Sequence, residues 1–347
     1  MKNLNEIIMD VQWTWGACAV GVATLETLAG GPPSVDLTYV LPNAKSAICF
    51  GFALDQELIG RYLRKEDRRS HELDNIRVNL LASGAALFGA KFLEELGYPS
   101  YAVCSNTVYR KDTPRGSADM MPDISLRYLA VASGIGHFGL SGNVITRNEG
   151  AGIIFGAVVT AAELEPTPPL PGEENYCDGC RLCMASCASS LMEPKEEEHV
   201  TLGGKEYTYS KRRTYHRCDF VCGGFTGLHP SGKWSTWSPG RFLIPDSEEA
   251  FYPALATAIQ ASSKRPPIEG GYRHPMLPER RIALTCGNCH LICVADKEER
   301  KNRYKALREG GCVVQNPDGT LEVMSAGAAT ERLAAMDPAT RMMYESF

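Results

Sequence analysis

Cys177-Asp-Gly-Cys180-Arg-Leu-Cys183-Met-Ala-Ser-Cys187 is the stretch on which the reading of this chain turns. Four thiols separated by two, two and three residues have few structural uses beyond gripping an iron–sulfur cluster, and this is the ferredoxin spacing. Three closely spaced thiolates wrap one cubane, while the fourth cysteine of such a run commonly ligates a second cluster, so the motif asks for partners elsewhere. Cys286-Gly-Asn-Cys289-His-Leu-Ile-Cys293 supplies three, and Cys218 and Cys222 lie between the two runs. The ligand count then closes for two [4Fe–4S] clusters. Cys177, Cys180, Cys183 and Cys293 serve one; Cys187, Cys286, Cys289 and either Cys218 or Cys222 serve the other.

Other uses of the thiols fit less well. Disulfides require an oxidising compartment, and the N-terminal residues carry no signal-peptide pattern. Structural zinc takes CxxC pairs separated by a loop rather than four thiols in one short run. Cys18, Cys49 and Cys104 sit in apolar, strand-like segments and read as small buried hydrophobes.

A chain of 347 residues with 44% hydrophobic composition is long enough for two domains, the first with a sizeable core. No uninterrupted apolar run reaches the ~18 residues of a membrane helix. With no twin arginine or cleavage pattern at the start, the expected compartment is the cytoplasm, with no membrane partner. The net charge of -5, without a dominant basic block, weighs against a large nucleic-acid footprint.

Hydrophobic periodicity divides the chain. Leu4, Ile7, Ile8 and Val11 fall on one helical face, and Ala17–Ala23 and Ala44–Phe52 are apolar runs of strand length. From Glu57 to Leu96 a helical region follows, with Ile76, Leu80, Leu81, Leu87, Phe88, Phe92, Leu93 and Leu96 as its stripe and Ala82-Ser-Gly-Ala-Ala86 as a close-packing patch. Tyr101–Cys104 reads as a strand and Ile124–Ser133 as a short helix. Asn143–Thr146 and Ile153–Thr160 form a strand-turn-strand candidate. Alternating helices and apolar strands over residues 1–165 predict an α+β domain, an α/β sandwich. Glu165-Pro-Thr-Pro-Pro-Leu-Pro171 is a linker, since its prolines can continue neither a helix nor a central strand. A C-terminal ferredoxin-like double-cluster module is expected over 172–300, with an irregular insert at 223–285 whose Trp234 and Trp237 fill a satellite core. An extension over 301–347 carries a hairpin turning at Asp318-Gly319 and a final helix.

Clusters pass electrons, so the first domain should hold a second redox centre or a substrate. Gly134-Ile-Gly-His-Phe-Gly139 has GxGxxG spacing, but a helix rather than a strand precedes it, so it fails as a dinucleotide loop. Its glycines instead suit a backbone that approaches a flat or bulky ligand closely. His137 lies inside that loop. His290, inside the second cysteine run, is placed to tune a cluster by hydrogen bonding.

Ala130-Val-Ala-Ser-Gly-Ile-Gly-His-Phe-Gly-Leu-Ser-Gly142, then Gly156-Ala-Val-Val-Thr160 with Glu163-Leu-Glu-Pro166, then the two cysteine runs, resemble the superfamily of cobalamin-dependent iron–sulfur reductases that contains epoxyqueuosine reductase and the reductive dehalogenases. The resemblance covers roughly residues 15–300. It implies a nitroreductase or flavin-reductase type of sandwich in the first domain and base-off cobalamin beside one of two [4Fe–4S] clusters. Ser133, Gly134, Ile135, Gly136, His137, Gly139, Ser141 and Gly142 would lie against the corrin. It further implies reductive cleavage of a carbon–oxygen or carbon–halogen bond in a small molecule or modified nucleoside, with a ferredoxin or flavodoxin-type electron donor. Family members that act on tRNA carry an acid before the glycine loop, and here Asp119 and Asp123 bracket that position as catalytic candidates. Dehalogenases pair a tyrosine with a basic neighbour, which Tyr109 with Arg110, or Tyr128 with Arg127, imitates. Two other readings are an electron-transfer protein that reduces the cobalt of a separate corrinoid protein, and a flavin-dependent, ferredoxin-like oxidoreductase.

Overall fold

The computed structural model describes residues 3–105, 108–273 and 281–346. Its first element, α1 (Leu4–Thr14), starts with a capping box in which the Asn3 side chain accepts from the Glu6 amide while Glu6 reaches back to the Asn3 amide. A four-stranded sheet follows, built from β1 (Ala19–Thr24), β2 (Ser46–Ala53), β3 (Ser100–Val103) and β6 (Ile153–Thr160) in the order β1-β2-β6-β3. Every neighbouring pair is antiparallel, with Phe50 opposite Gly156 at the centre. The central strands β2 and β6 are buried almost throughout, as their unbroken apolar sequences require of a sheet covered on both faces.

One face is covered by α1, α2 (Gln56–Leu63) and α3 (Arg69–Glu95). The predicted stripe on α3 is buried only in part: Leu93 lies in the core and Leu81 and Phe92 pack against it. Val78, Ala82, Ala85, Ala86, Gly89 and Ala90 face the sheet, whereas Leu80, Leu87, Phe88 and Leu96 are exposed. Small side chains win because the helix lies very close to β6: a Cβ added to Gly156 would stand 2.7 Å from the Ala82 carbonyl oxygen. This 27-residue helix is also, by length and average composition alone, long and apolar enough to cross a membrane, although no unbroken apolar run in the sequence is.

The opposite face is covered by α4 (Leu126–Ala132) and by a long hairpin, β7 (Met192–Leu202) with β8 (Lys205–Arg212), whose Val200, Leu202, Tyr207 and Tyr209 complete that core. The sequence reading assigned no structure to 192–212. Asn143–Thr146 likewise pairs elsewhere than expected: β5 (Val144–Ile145) joins β4 (His137–Phe138) in a small hairpin instead of joining β6. The proline linker lies in place along β1, the Thr167 amide donating to the Val22 carbonyl and the Val22 amide to Thr167 Oγ1, 3.1 Å.

Beyond the linker come α5 (Leu182–Ala185), α6 (His216–Cys222) and α7 (Glu248–Ser262), the last an unforeseen helix inside the 223–285 insert. Two-residue strands β9 (Tyr272–Arg273) and β10 (Arg281–Ile282) pair near its end, and residues 274–280 of that insert lie outside the described residues. Then follow α8 (Asn288–Leu291), α9 (Lys297–Glu309), the hairpin β11 (Cys312–Gln315) and β12 (Leu321–Met324), α10 (Ala326–Ala334) and α11 (Pro338–Arg341). Trp234 and Trp237 fill the main core with α1–α3, not a satellite, and the Trp237 indole donates to the Tyr62 carbonyl at 3.0 Å. Cys18 is exposed rather than buried.

Glu72 fastens the second cysteine run to α3. Its buried carboxylate accepts from Arg68 at 3.0 Å, from Arg69, from the Gly271 amide at 3.1 Å and from the Leu284 amide at 2.7 Å. Replacing it with alanine leaves the buried Arg68 without its carboxylate and two amides unbonded. A loss of about 3–5 kcal/mol in unfolding free energy is expected from urea titration.

Candidate functional site

Each cysteine run bends through left-handed backbone, which in the first run includes Gly179 at φ 70°, and then makes a single helical turn. In the first, Arg181 has φ 61° and α5 follows; in the second, Gly287 has φ 117° and α8 follows. Glycine takes that conformation without cost, and arginine bears it at a small one. The two turns lie side by side, and the buried Asn288 amide donates to the Ser186 carbonyl at 3.5 Å. Tyr62 donates to the Cys286 carbonyl at 3.2 Å, and Thr285 to the Val221 and Cys222 carbonyls, so α2 and α6 hold the second run from either side.

The thiols gather into two sets. Cys293 lies in the electrostatic reach of Cys183, Cys177 and Cys180. Cys289 lies in that of Cys187, Cys218 and Cys286, while Cys222 stands 3.5 Å from Cys218 and hydrogen-bonds to Cys286. Cys218 and Cys222, one helical turn apart on α6, therefore both belong to the second set. Every member of that set keeps accessible surface. Burial pushes Cys183 up to about 11 and Cys293 up to about 12, with the neighbouring thiols adding to it. The hydrogen bond with Cys222 draws Cys286 down to about 7 and pushes Cys222 up. Such arrays resist becoming thiolates together unless cationic charge fills their centre, the environment a metal cluster supplies. Among the described residues, no three His, Cys, Asp or Glu side chains are grouped to hold a single metal ion.

Donors surround the sulfurs. The Leu140 amide reaches Cys177 Sγ at 3.2 Å, the Leu191 amide reaches Cys187 Sγ at 3.4 Å, and Arg300 reaches Cys180 Sγ at 3.3 Å. Arg300 is 2% exposed and also donates to Asp178 at 2.7 Å and to the carbonyls of Tyr176, Val294 and Ala295. Hydrogen bonds to cluster sulfurs raise reduction potentials, as does nearby positive charge. Arg300→Leu is therefore expected to lower the potential of a cluster held by this set in a redox titration. It should also cost about 2–3 kcal/mol in urea unfolding by stranding the carbonyls of Tyr176, Val294 and Ala295, while Asp178 keeps Lys297.

The glycine loop bridges the two sets. Leu140 bonds Cys177 of the first, and Asn143 Nδ2 stands 3.8 Å from Cys289 Sγ of the second. Arg212 holds this bridge, donating to the Ser141 carbonyl at 2.7 Å and to Asn143 Oδ1 at 2.9 Å. The close approaches of the loop are to the protein itself. Gly134 packs on the Pro168 carbonyl. Added Cβ atoms at Gly136 and Gly139 would stand 2.6 Å from atoms of Ile145, and one at Gly142 would stand 2.8 Å from Tyr209. Ser133, Ile135, His137 and Ser141 are buried. Burial, with Lys205 nearby, lowers the His137 pKa, and its Nε2 has no partner. Burial likewise draws His290 down to about 4.

Neither candidate aspartate touches a thiol. Asp119 accepts from the Arg115 amide and, at 2.7 Å, from its guanidinium, which hold its carboxyl below the usual range. Asp123 is buried, which raises its pKa, and it accepts from Tyr101 at 3.2 Å. Tyr128 bonds Tyr209 at 2.7 Å, with Arg127 over both rings. A group that the sequence reading missed is better placed. Tyr215, half-buried and three residues before Cys218, accepts from Arg212 and lies in the field of Arg127. Burial alone would raise its pKa, but the two guanidiniums outweigh it and hold the phenol below its ordinary value. Tyr109 lies close to it across Asp219. Only the basic neighbour at Arg212–Arg213 marked Tyr215 in the sequence, since Arg127 reaches it from a distant helix.

No family model matches the chain. Epoxyqueuosine reductase of Gloeobacter violaceus is 35% identical over 66 residues, which are 19% of this chain and 20% of that protein. A catabolic reductive dehalogenase solved with 3-bromo-4-hydroxybenzoic acid superposes over 98% of this chain and 37% of its own, at a TM-score of 0.50 and 12% identity. An epoxyqueuosine reductase solved with a tRNA stem loop aligns over 96% of this chain and 73% of its own, at a TM-score of 0.42 and 16% identity. The chain thus spans a fifth of the curated relative and little more than a third of the dehalogenase. Over a short stretch of sequence the chain is similar to an epoxyqueuosine reductase, and its fold is similar to that of a reductive dehalogenase.

Proposed function

We propose that the protein is an oxidoreductase holding two [4Fe–4S] clusters. Cys177, Cys180, Cys183 and Cys293 would hold one; Cys187, Cys286, Cys289 and one of Cys218 and Cys222 would hold the other. Bound there, the clusters supply one-electron transfer at low potential. The observation that carries the reading is the gathering of nine thiols, from three separate segments, into two sets. The reaction we assign is reductive cleavage of a carbon–oxygen or carbon–halogen bond in a small molecule or modified nucleoside. The chain's own part is to orient the second set through Asn143 and Arg212 and to hold a proton on Tyr215 beside it, the phenol being made more acidic by its guanidinium neighbours.

A corrinoid is a separate question. The residues expected to lie against it, Ser133–Gly142, are packed on Pro168, Ile145 and Tyr209 and do not present a cradle for a macrocycle. No step is therefore routed through one, and the packing favours a second reading, in which the two thiol sets pass electrons to a separate corrinoid protein. Anaerobic purification with cobalamin supplied separates the two. Retention of one base-off corrin per chain, with turnover of 3-bromo-4-hydroxybenzoic acid or of an epoxyqueuosine-bearing stem loop, supports a self-contained reductase. Clusters without corrin, together with reduction of an added corrinoid protein, support the second reading. A bound flavin without clusters would overturn both.

A further inference from the structure

The surface above Cys180 carries a charge pattern at odds with the rest of the molecule. The chain as a whole is acidic at -5, yet Lys297, Lys301, Lys305 and Arg308 recur at intervals of four, four and three residues along α9 and so share one helix face. All four are exposed, as is Arg181 beside Cys180. The stripe ends at a shallow depression lined by Asp178, Cys180, Leu182, Lys297, Arg300 and Lys301. Cys180 is the exposed member of its thiol set, whereas Cys183 and Cys293 are buried.

The negative groups there do not cancel the stripe. Asp178 pairs with the buried Arg300 at 2.7 Å and with Lys297 at 3.2 Å, Glu298 pairs with Lys301 at 2.7 Å and Glu299 with Arg303 at 2.8 Å, which leaves Glu309 as the exposed carboxylate of α9 beside Lys305 and Arg308. Lys297 and Lys301 are 67% and 64% exposed, and exposed pairs of this kind are worth at most about 1 kcal/mol, so an incoming anionic surface can replace them. A positive field on a negative protein steers an acidic partner to one place. Here that place is the exposed thiol of the first set, Cys180.

The geometry points to the α9 stripe and the Cys180 depression as the docking surface for an acidic, one-electron carrier protein of the ferredoxin or flavodoxin kind. This rests on the cluster reading above. One electron leaves the reduced carrier and is taken up by the cluster that Cys180 helps to hold; no bond is made or broken, and the carrier departs oxidised. A nucleic-acid strand would also answer to a basic stripe, but it gives no reason for the stripe to end at an exposed thiol.

The test uses full-length protein reconstituted anaerobically with iron and sulfide, and its Lys301→Glu/Lys305→Glu variant. A redox-inert, gallium-substituted bacterial ferredoxin is titrated against each at low and at physiological salt. Cluster reduction by the native, reduced ferredoxin is followed by stopped flow, with dithionite as the small-molecule control. Expected are a Kd weakened on the order of tenfold by the substitutions and again by salt, a matching fall in the ferredoxin rate, and unchanged reduction by dithionite. Equal binding and equal ferredoxin rates in the two proteins overturn the assignment. So does a variant that loses affinity for an RNA stem loop while ferredoxin still reduces it at the original rate. Failure to take up iron and sulfide at all shows itself before any carrier is added, and sinks the cluster reading with this inference.

Discussion

Cys293→Ala is expected to lose the same metal as Cys183→Ala, although the two positions lie in separate cysteine runs. Each variant should retain about half of the iron and acid-labile sulfide of the parent chain after anaerobic reconstitution. The reason is spatial: Cys293 lies among Cys177, Cys180 and Cys183, not among its sequence neighbours Cys286 and Cys289. Cys187→Ala should behave as Cys286→Ala does and remove the other half, because Cys187 has left its own run for the second set. Double variants then give the decisive contrast. Cys183→Ala with Cys293→Ala still leaves half of the metal, whereas Cys183→Ala with Cys286→Ala leaves none. If Cys293→Ala instead mimicked Cys286→Ala, each run would hold its own cluster and the crossed arrangement would be refuted. Single substitution of Cys218 or of Cys222 should have unequal effects, since only one further thiol is needed and five crowd the second set.

Tyr215→Phe is expected to lower turnover on the order of 10²–10⁴-fold with cluster content unchanged, the range associated with removal of a general acid. Asp119→Asn should have a much smaller effect, because Asp119 is held ionised by Arg115 and has no proton to give at neutral pH. The pH dependence follows from the sign of the shift. The phenol must be protonated to donate, and its pKa is lowered, so activity is full below that pKa and falls as pH rises through it. The fall comes at a lower pH than for an ordinary tyrosine. Arg212→Gln takes away one of the two guanidiniums and should move the alkaline limb upward. An alkaline limb that stays in place in Arg212→Gln, or a Tyr215→Phe enzyme of full activity, would remove the phenol from the reaction.

What could be read from the sequence was what covalent spacing or strong periodicity dictates. The cysteine runs are local, so their ferredoxin-like spacing is visible without the fold, and unbroken apolar runs such as Ser46–Ala53 and Ile153–Thr160 mark the buried central strands. Failures arose where long-range packing decides. On α3 the large residues suggest the core face, but the close approach of β6 at Ala82 favours small side chains there, leaving Leu80 and Leu87 outside. The β7–β8 hairpin went unread because its acidic outer stretch Glu196–Glu198 hides the alternation of Val200, Leu202, Tyr207 and Tyr209. The glycines of 134–142 signalled a close approach, and sequence could not tell a ligand from Ile145 and Tyr209. Tyr215 escaped notice because one of its two guanidiniums comes from α4.

The most direct test is the metal stoichiometry of the anaerobically reconstituted chain, by iron, acid-labile sulfide and zinc analysis with Mössbauer spectroscopy of the iron. Two cubanes give about eight iron and eight sulfide per chain in a single class of tetrahedral sulfur-ligated sites, without zinc. Stoichiometric zinc in place of iron, or about four iron that no cysteine substitution outside residues 177–187 disturbs, would contradict it.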